Sequence, residues 1–515
     1  MRLSTLFLGV SLIAIAAPAA AQTAPATTPG VTMPVSSREA PTTTLRQAMV
    51  EAYNTNPDLA GERANLRATD ENVPIARAAG LPGLNSTGSV SQSVYDTNSG
   101  INPSRQGTVG LDLSLPVFSG GSVRNSVRAA ETRVEAGRSV LRGAEADIFT
   151  QVVTVYVDVI RDESIVRLNQ QNVKALEVNL QATRDRFEVG DLTRTDVAQS
   201  EARYALAQSQ LRTAEARLIG SRENYIRIVG SAPGVLAQPP ALPGLPADVA
   251  VAEQIALENN PNLDAAKKNG DASRYDVDVA RASRLPRVSV GVGGNYYNYL
   301  GSVGSQAAAA GFDKDGFGTT LGLQLSLPIF QGGRPAALIR QAQARRSAAL
   351  EGITFAERGV IAQSRSSFAT YQSSLRVIES TRVAVEANRL SLEGVRAENS
   401  VGTRTILDIL NAEQEFLNSQ VQYVTAERDA YVAGFTLLAV MGKAEAEDLG
   451  LDGGPLYDPT VNYKKVRRSM NDWNSGPDAT TTGSRTNATP AQNPTVTPGA
   501  DPLLDAPVDR TPGNR

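Results

Sequence analysis

An internal duplication constrains this chain more than any other feature of its sequence. The stretch 402–413 reads GTRTILDILNAE, and 190–201 reads GDLTRTDVAQSE, with Gly, Asp and Glu at the same relative places. The same spacing of 212 residues links a proline, a phenylalanine and a Gly-Gly pair in each half: Pro116 with Pro328, Phe118 with Phe330, and 120–121 with 332–333. A repeat of this length predicts one architecture built from two copies of a unit, although 515 residues would otherwise suggest several domains.

Composition excludes several classes of function. The chain has 50 basic and 53 acidic residues, a balance that does not favour binding to nucleic acid. It contains no Cys and no His, which excludes Cys/His zinc sites, thiol nucleophiles, Ser-His-Asp triads and acylation of an N-terminal cysteine. No pair of carboxylates or lysines stands out as a catalytic site. We therefore expect neither an enzyme nor a bound cofactor.

The N-terminal residues have the pattern of an export signal. Arg2 precedes an apolar run and three small residues, so residues 1–21 are predicted to be a cleaved secretory signal peptide. Residues 22–44 are rich in Pro, Thr and Ala and are predicted to be a flexible lead-in. The two structural repeats are expected at 45–248 and 249–442.

The C-terminal segment, 443–515, differs in composition from both repeats. Thr, Asn, Pro and Gly dominate its second part, which predicts disorder from about residue 474. Before that point lies a short basic cluster, which is typical of a solvated surface and comprises Lys464, Lys465, Arg467 and Arg468.

Each half contains a proline-free tract of more than a hundred residues, from Pro116 to Pro233 and from Pro335 to Pro455, and each is led by Gly-Gly. In the first tract, apolar residues recur in alternating steps of three and four, as in a coiled-coil seam. The tracts predict long helices at 122–186 and 334–397, turns at Gly190 and Gly402, and return helices to about 229 and 441. At ~1.5 Å per residue, each long helix would span roughly 100 Å.

Two runs of alternating apolar and polar residues precede each long helix. They are 85–95 and 111–117 in the first half, and 287–299 and 321–327 in the second. Alternation with period two predicts half-buried strands of about the ~9 to 11 residues that cross an outer membrane. Membrane sheets must close, and barrels begin at about 8 strands, so several chains would have to pool their strands. The same alternation also fits a soluble sheet resting on the helices.

These motifs resemble those of the TolC family of outer-membrane channel proteins. The matching features are Asn56-Pro57, the box Leu-x-Leu-Pro-x-Phe-x-Gly-Gly at 113–121 and 325–333, and GTRTILDILNAE. The resemblance implies an α+β membrane protein in which long antiparallel coiled-coil helices form a periplasmic tunnel and three subunits, with four strands each, share a transmembrane β-barrel.

The resemblance also implies a location and partners. It predicts a homotrimer in the cell outer membrane, in contact with outer-membrane lipid and extending into the periplasm. The implied function is an exit duct for type I protein secretion or multidrug efflux. Such ducts dock with a periplasmic adaptor protein and an inner-membrane transporter of the ABC or RND type.

Residue roles near the turns follow from the resemblance. Asp408 matches the carboxylate that lines the narrow tunnel entrance, where threefold symmetry would make a ring of three charges that favours cations. Asn411 stands where a second entrance carboxylate is expected, which should weaken the cation preference. Arg404 matches the arginine that latches the gate, and Thr195 and Asp196 match its partners in the first hairpin.

Two further points concern the same turns. Gly190 and Gly402 match the positions that form grooves for adaptor hairpins. Arg404 and Asp408 are four residues apart at a helix start, so an alternative is that they pair with each other on a surface. For the whole chain, the competing function is a periplasmic coiled-coil scaffold without a pore.

Overall fold

The computed structural model describes residues 42–95, 103–309, 311, 313–451 and 456–496. The elements of the first half are β1 (Thr42–Thr43), α1 (Leu45–Thr55), α2 (Pro57–Asp70), α3 (Asn72–Ala78), β2 (Gly83–Gln92), β3 (Arg105–Phe118), α4 (Ser122–Glu188) and α5 (Arg194–Val229). The signal peptide predicted at 1–21 and most of the predicted lead-in lie outside the described residues.

The second half repeats this order. Its elements are β4 (Val235–Leu236), α6 (Val249–Asn259), α7 (Pro261–Ala282), β5 (Arg287–Asn298), α8 (Ser305–Ala309), β6 (Asp315–Ser326), α9 (Arg334–Ser400) and α10 (Ile406–Val440). A short helix, α11 (Thr460–Val466), and a single 3₁₀ turn at Thr486–Ala488 follow. The predicted α+β class, with long antiparallel helical hairpins and two long strands in each half, is confirmed.

In each half, an asparagine followed by a proline joins the first two helices. Asn56 caps α2 by accepting hydrogen bonds from the backbone of Asp58 and Leu59, and Asn260 caps α7 in the same way. Pro57 and Pro261 fit the first helical turn, where a backbone N–H has no intrahelical partner. The amide nitrogen of each asparagine also donates, at 2.9 Å, to a carbonyl near the end of a long hairpin: Asn56 to Ile228, and Asn260 to Val440.

The two longest helices, α4 and α9, have 67 residues each and begin after glycines with positive φ. Gly121 and Gly333 both have φ of 80°, a conformation that side chains with a Cβ rarely adopt. At ~1.5 Å per residue, each helix is about 100 Å long. None of the helices within the described ranges is sufficiently long and apolar to span a membrane.

The four long strands form one antiparallel sheet in the order β2-β3-β5-β6. Its register aligns like residues across all four strands. One row is apolar and consists of Leu84, Leu113, Val292 and Leu321, and the next row is polar or small and consists of Asn85, Asp112, Gly293 and Thr320. The apolar row is exposed in the single chain, by 68 % at Leu84 and 77 % at Leu321. Other elements of the described chain therefore leave this apolar face uncovered.

The largest core lies where the short helices pack around the middle of α4. Its fully buried aromatic side chains come from three long helices and include Phe149, Tyr156, Tyr225 and Phe435. The hydroxyl of Tyr156 lies 2.7 Å from the carbonyl oxygen of Ala237, so its polar end is satisfied inside the apolar cluster. Burial of this kind holds the long hairpins together near the middle of α4.

Part of the C-terminal segment contacts the helices. Residues 474–496 lie along the helical body, where Ser484 donates its backbone N–H to the carbonyl of Thr55. Arg222 of α5 donates to the carbonyls of Asn493 and Thr495 at 2.6 and 2.8 Å. A segment without an apolar core of its own can thus be ordered by donors on a neighbouring helix. Residues 497–515 lie outside the described residues.

Candidate functional site

The helical hairpins end in two turns of the same geometry. Gly190, between α4 and α5, has φ of 83°, and Gly402, between α9 and α10, has φ of 84°. Each turn closes with a hydrogen bond back to the preceding helix, from Asp191 to Arg186 in one and from Thr403 to Glu398 in the other. This is the way in which a left-handed glycine ends a helix. A Cβ at either glycine would meet no atom within 4 Å, so both turns are open at the surface.

The helix after each turn begins with a reciprocal cap. The Thr405 hydroxyl accepts the Asp408 N–H, while the Asp408 carboxylate accepts from the backbone N–H and the hydroxyl of Thr405 at 2.9 and 2.8 Å. Thr193 and Asp196 form the same box at the start of α5. Such boxes satisfy backbone donors that a helix start leaves unpaired.

These caps also set the charge of the two aspartates. Hydrogen bonds from the backbone and side chain of Thr405 hold the pKa of Asp408 below its usual value. Those from the side chain and backbone of Thr193 do the same for Asp196. Both carboxylates are therefore ionised at neutral pH, and Asp408 can act as a fixed negative charge at this end of the molecule.

Arg404 forms an ion pair within its own turn. Its Nε donates to the Glu398 carboxylate at 2.7 Å, and both side chains are about half exposed. Among the described residues of the single chain, Arg404 pairs with Glu398 and not with Thr195 or Asp196, and the Asp196 carboxylate accepts from Thr193. The alternative pairing of Arg404 with Asp408 is not the one observed either.

Asn411 joins the two hairpins. It lies one turn beyond Asp408 and accepts a hydrogen bond at 2.8 Å from Arg203 of α5. Close by, Leu410 is buried against Leu176 and Ala207. The contact places a guanidinium group beside Asn411, the position at which the family resemblance implies a second carboxylate. Arg203 was missed, because no local pattern relates residues 208 positions apart.

A buried ion pair lies farther along the second hairpin. Arg396 of α9 donates at 2.8 Å to Glu413 of α10, whose side chain is only 5 % exposed. Asn179 of α4 donates to the same carboxylate oxygen. The first hairpin has the equivalent pair, Arg184 with Glu201, at the same repeat positions. The repeat spacing of 212 residues relates both members of the two pairs, so this signal in the sequence could have identified them.

The two hairpins contact each other through buried groups along their length and end in exposed turns, which form their tips. The ion pair between Arg396 and Glu413 and the apolar contacts hold the arms of the hairpins, their long helices, together. The polar groups at the turns, Arg404 and Glu398 among them, are exposed. Exposed ion pairs of this kind are worth only about 0–1 kcal/mol each. The tips can therefore exchange partners at little cost without unfolding the arms.

Comparison with known proteins identifies the fold. The family described as outer membrane efflux protein matches residues 48–231 and 253–443. The outer membrane efflux protein BepC of Brucella suis is 33 % identical over 82 % of this chain and 90 % of its own length. The outer membrane protein TolC of Escherichia coli is 26 % identical over 79 % of this chain and 83 % of its own length.

Solved structures agree with the sequence comparison. The crystal structure of the CmeC outer membrane channel of Campylobacter jejuni superposes with a TM-score of 0.68 and 15 % identity, covering 83 % of this chain and 90 % of that one. Such a likeness supports the fold, and the family match and the similarity to BepC extend it to function. The chain therefore belongs to the outer membrane efflux protein family, and it is an outer-membrane export channel of the TolC type.

Proposed function

We propose that three copies of this chain close into one duct that carries cargo from an inner-membrane pump across the periplasm and the outer membrane. The observation that carries this proposal is the sheet. Each of its four strands contributes one residue to an exposed apolar row and one to the polar row beside it. Within the described chain, β2 and β6 are the outer strands of the sheet. Lipid requires every backbone group to be paired, so the edges must meet other subunits.

Three copies are the number that fits. Two copies would supply the ~8 strands of the narrowest barrels, in which side chains fill the interior. Three copies would leave room for a lumen. Channels of the TolC type are homotrimers that work with partner pumps, in agreement with this count. The apolar row, with Leu113 and Leu321, would face lipid, and the polar row, with Asp112 and Thr320, the lumen.

The helix turns would form the inner entrance of the duct. Three copies of Asp408, each held ionised by its cap, would make a ring that favours cations. Asn411 adds no charge and binds Arg203, so the ring one turn farther in would carry guanidinium groups and moderate that preference. In the closed state Arg404 would latch to Thr195 and Asp196 of the first hairpin.

The same turns would receive the partners. Gly190 and Gly402 leave open grooves at the tips, where a helical hairpin of a periplasmic adaptor could dock. An ABC or RND transporter in the inner membrane would supply the cargo. Because the latches are weak, contact with an adaptor would suffice to open the entrance.

Disulfide cross-linking tests the shared barrel directly, because the natural chain contains no cysteine. Double variants would combine Ser86→Cys or Ser89→Cys in β2 with Thr319→Cys or Thr320→Cys in β6. We expect at least one combination to give a reducible ladder that ends at three chains. Each single-cysteine variant is the matched control and should remain monomeric under denaturing conditions. A ladder that continues beyond three, or no cross-link in any combination, would contradict the trimer.

Two cargo classes remain to be distinguished by experiment. A strain that lacks the protein would lose one or more secreted proteins if the duct serves type I secretion. It would become sensitive to drugs or bile salts if the duct serves multidrug efflux. Complementation with the wild-type chain, beside a variant with an altered entrance such as Asp408→Ala, would link either phenotype to the duct itself.

A further inference from the structure

The basic cluster of the C-terminal segment lies close to the junction between the sheet and the long helices. Tyr463 packs against the buried cluster of Val73, Ala130 and Val134, two of which lie near the start of α4. Arg77 at the end of α3 donates to the carbonyl of Arg467. The chain reaches Gly83, the first residue of β2, only a few residues after Arg77. This places the cluster at the end of the helical body that adjoins the strands.

The segment presents its cations to solvent. In α11, Asn462 donates to Asp70 at 2.9 Å and Tyr463 faces Arg138, whose guanidinium carbon lies 5.1 Å from the ring centroid. The segment also carries four exposed cations, Lys464, Lys465, Arg467 and Arg468, of which Arg467 lies over the Tyr463 ring at 5.7 Å. None of these four cations forms an ion pair with any residue in the described ranges.

Large apolar side chains follow directly. Met470 is 72 % exposed, and Trp473, the only tryptophan in the sequence, is 96 % exposed. Exposed tryptophan beside a basic cluster is costly in water but suits the boundary between lipid headgroups and acyl chains. Clusters of four or more Lys and Arg near a membrane surface bind anionic lipid headgroups.

We propose that residues 464–473 form a peripheral anchor that binds anionic phospholipid in the membrane leaflet facing the helices. The four cations bind headgroup phosphates, and Met470 and Trp473 insert at the acyl boundary. The proposal rests on the proposed function in one respect, since the sheet must lie in the membrane for a leaflet to reach this height. The anchor would set the depth and tilt of the duct at the base of its barrel.

The single tryptophan makes the test direct, because intrinsic fluorescence reports on Trp473 alone. The full-length trimer is placed in nanodiscs of phosphatidylcholine with or without phosphatidylglycerol, and in matching discs with brominated acyl chains. In the anionic discs we expect a blue-shifted emission, quenching by the bromine atoms and protection from iodide. Inorganic phosphate added to trimer in neutral discs should leave the emission unchanged, which distinguishes lipid from free phosphate.

A charge variant and a matched control complete the design. The variant carries Lys464→Gln, Lys465→Gln, Arg467→Gln and Arg468→Gln, and it should lose most of the blue shift and at least about tenfold in the segment's affinity for anionic lipid. The control, Lys174→Gln with Arg217→Gln, neutralises exposed cations on α4 and α5 far from the sheet and should behave as wild type.

The outcomes separate the anchor from the duct. If the trimer inserts and conducts ions but Trp473 stays accessible to iodide and is unquenched by bromine, the anchor is wrong and the duct stands. If Trp473 is shielded equally in detergent, neutral discs and anionic discs without bromine quenching, a neighbouring subunit covers it and the anchor is wrong. If the trimer fails to insert at all, both proposals fall.

Discussion

Glu145 is a titratable residue in the core of the helical body. It lies in α4 beside a cavity of about 410 Å³ that is also lined by Tyr53, Arg142 and Glu445. Burial raises the pKa of Glu145 to about 7, against the opposing positive charge of Arg63. The carboxyl group is therefore largely protonated in the folded chain at mildly acidic pH, where the unfolded chain would already have lost the proton.

This pKa predicts a specific pH dependence of stability. Because the folded state binds the proton more tightly, the free energy of unfolding should fall as pH rises from about 4.5 to about 7, by up to about 3 kcal/mol per chain. Glu145→Gln should remove that slope while retaining the shape of the side chain. The measurement is the unfolding temperature of the purified protein between pH 5 and pH 8.

The exposed residue Glu177 on the same helix supplies the control. Glu177→Gln should leave the slope of the wild type unchanged. A Glu145→Gln variant that retains the wild-type slope would show that other groups cause it.

At the scale of elements, the pair between Arg396 and Glu413 holds the arms of the second hairpin together. Removing the arginine leaves a carboxylate that is 95 % buried with only the Asn179 amide as a partner. Arg396→Ala should therefore cost about 3 kcal/mol, as expected when one partner of a buried pair is lost. Arg389→Ala removes exposed ion pairs with Glu386 and Glu393 of the same helix and should change the stability far less.

Thermal unfolding of the two variants measures this difference. An Arg396→Ala protein as stable as the Arg389→Ala protein would mean that Glu413 finds another partner or becomes protonated. Hydrogen exchange in α9 and α10 would then locate the region that adapts.

The elements were largely predictable from the sequence, because each rests on a local or repeating pattern. Proline-free tracts and Gly-Gly pairs located α4 and α9 to within three residues at either end. Contacts between elements were not predictable in this way. The hydrogen bond from Arg203 to Asn411 joins helices far apart in sequence, and the ordering of residues 474–496 depends on donors such as Arg222.

At the scale of the whole molecule, the exposed apolar row distinguishes a membrane sheet from a soluble one. A soluble sheet resting on helices would cover its apolar row, yet Leu84 and Leu321 remain mainly exposed in the single chain. Each long helix follows a strand of the same sheet in the chain and is joined to it through the Gly-Gly turns at 120–121 and 332–333. The family match agrees with this division into membrane sheet and tunnel helices.

The roles of individual entrance residues remain predictions. Asp408 and Asp196 share one capping geometry, so the fold alone gives both a structural role, and only Asp408 was assigned to the pore. Arg404 has a partner in Glu398 within one chain, and a latch requires it to change partners on assembly. Both assignments therefore depend on the trimer and are best tested in it.

The most direct test is the planar-bilayer conductance of the purified mature protein, measured beside Asp408→Ala and Arg404→Ala. We expect a small cation-selective current in the wild type, loss of selectivity in the first variant and a larger current in the second. Glu177→Ala, which removes an exposed charge outside the turns, should conduct as the wild type does. A folded trimer without channel activity would contradict the proposed duct.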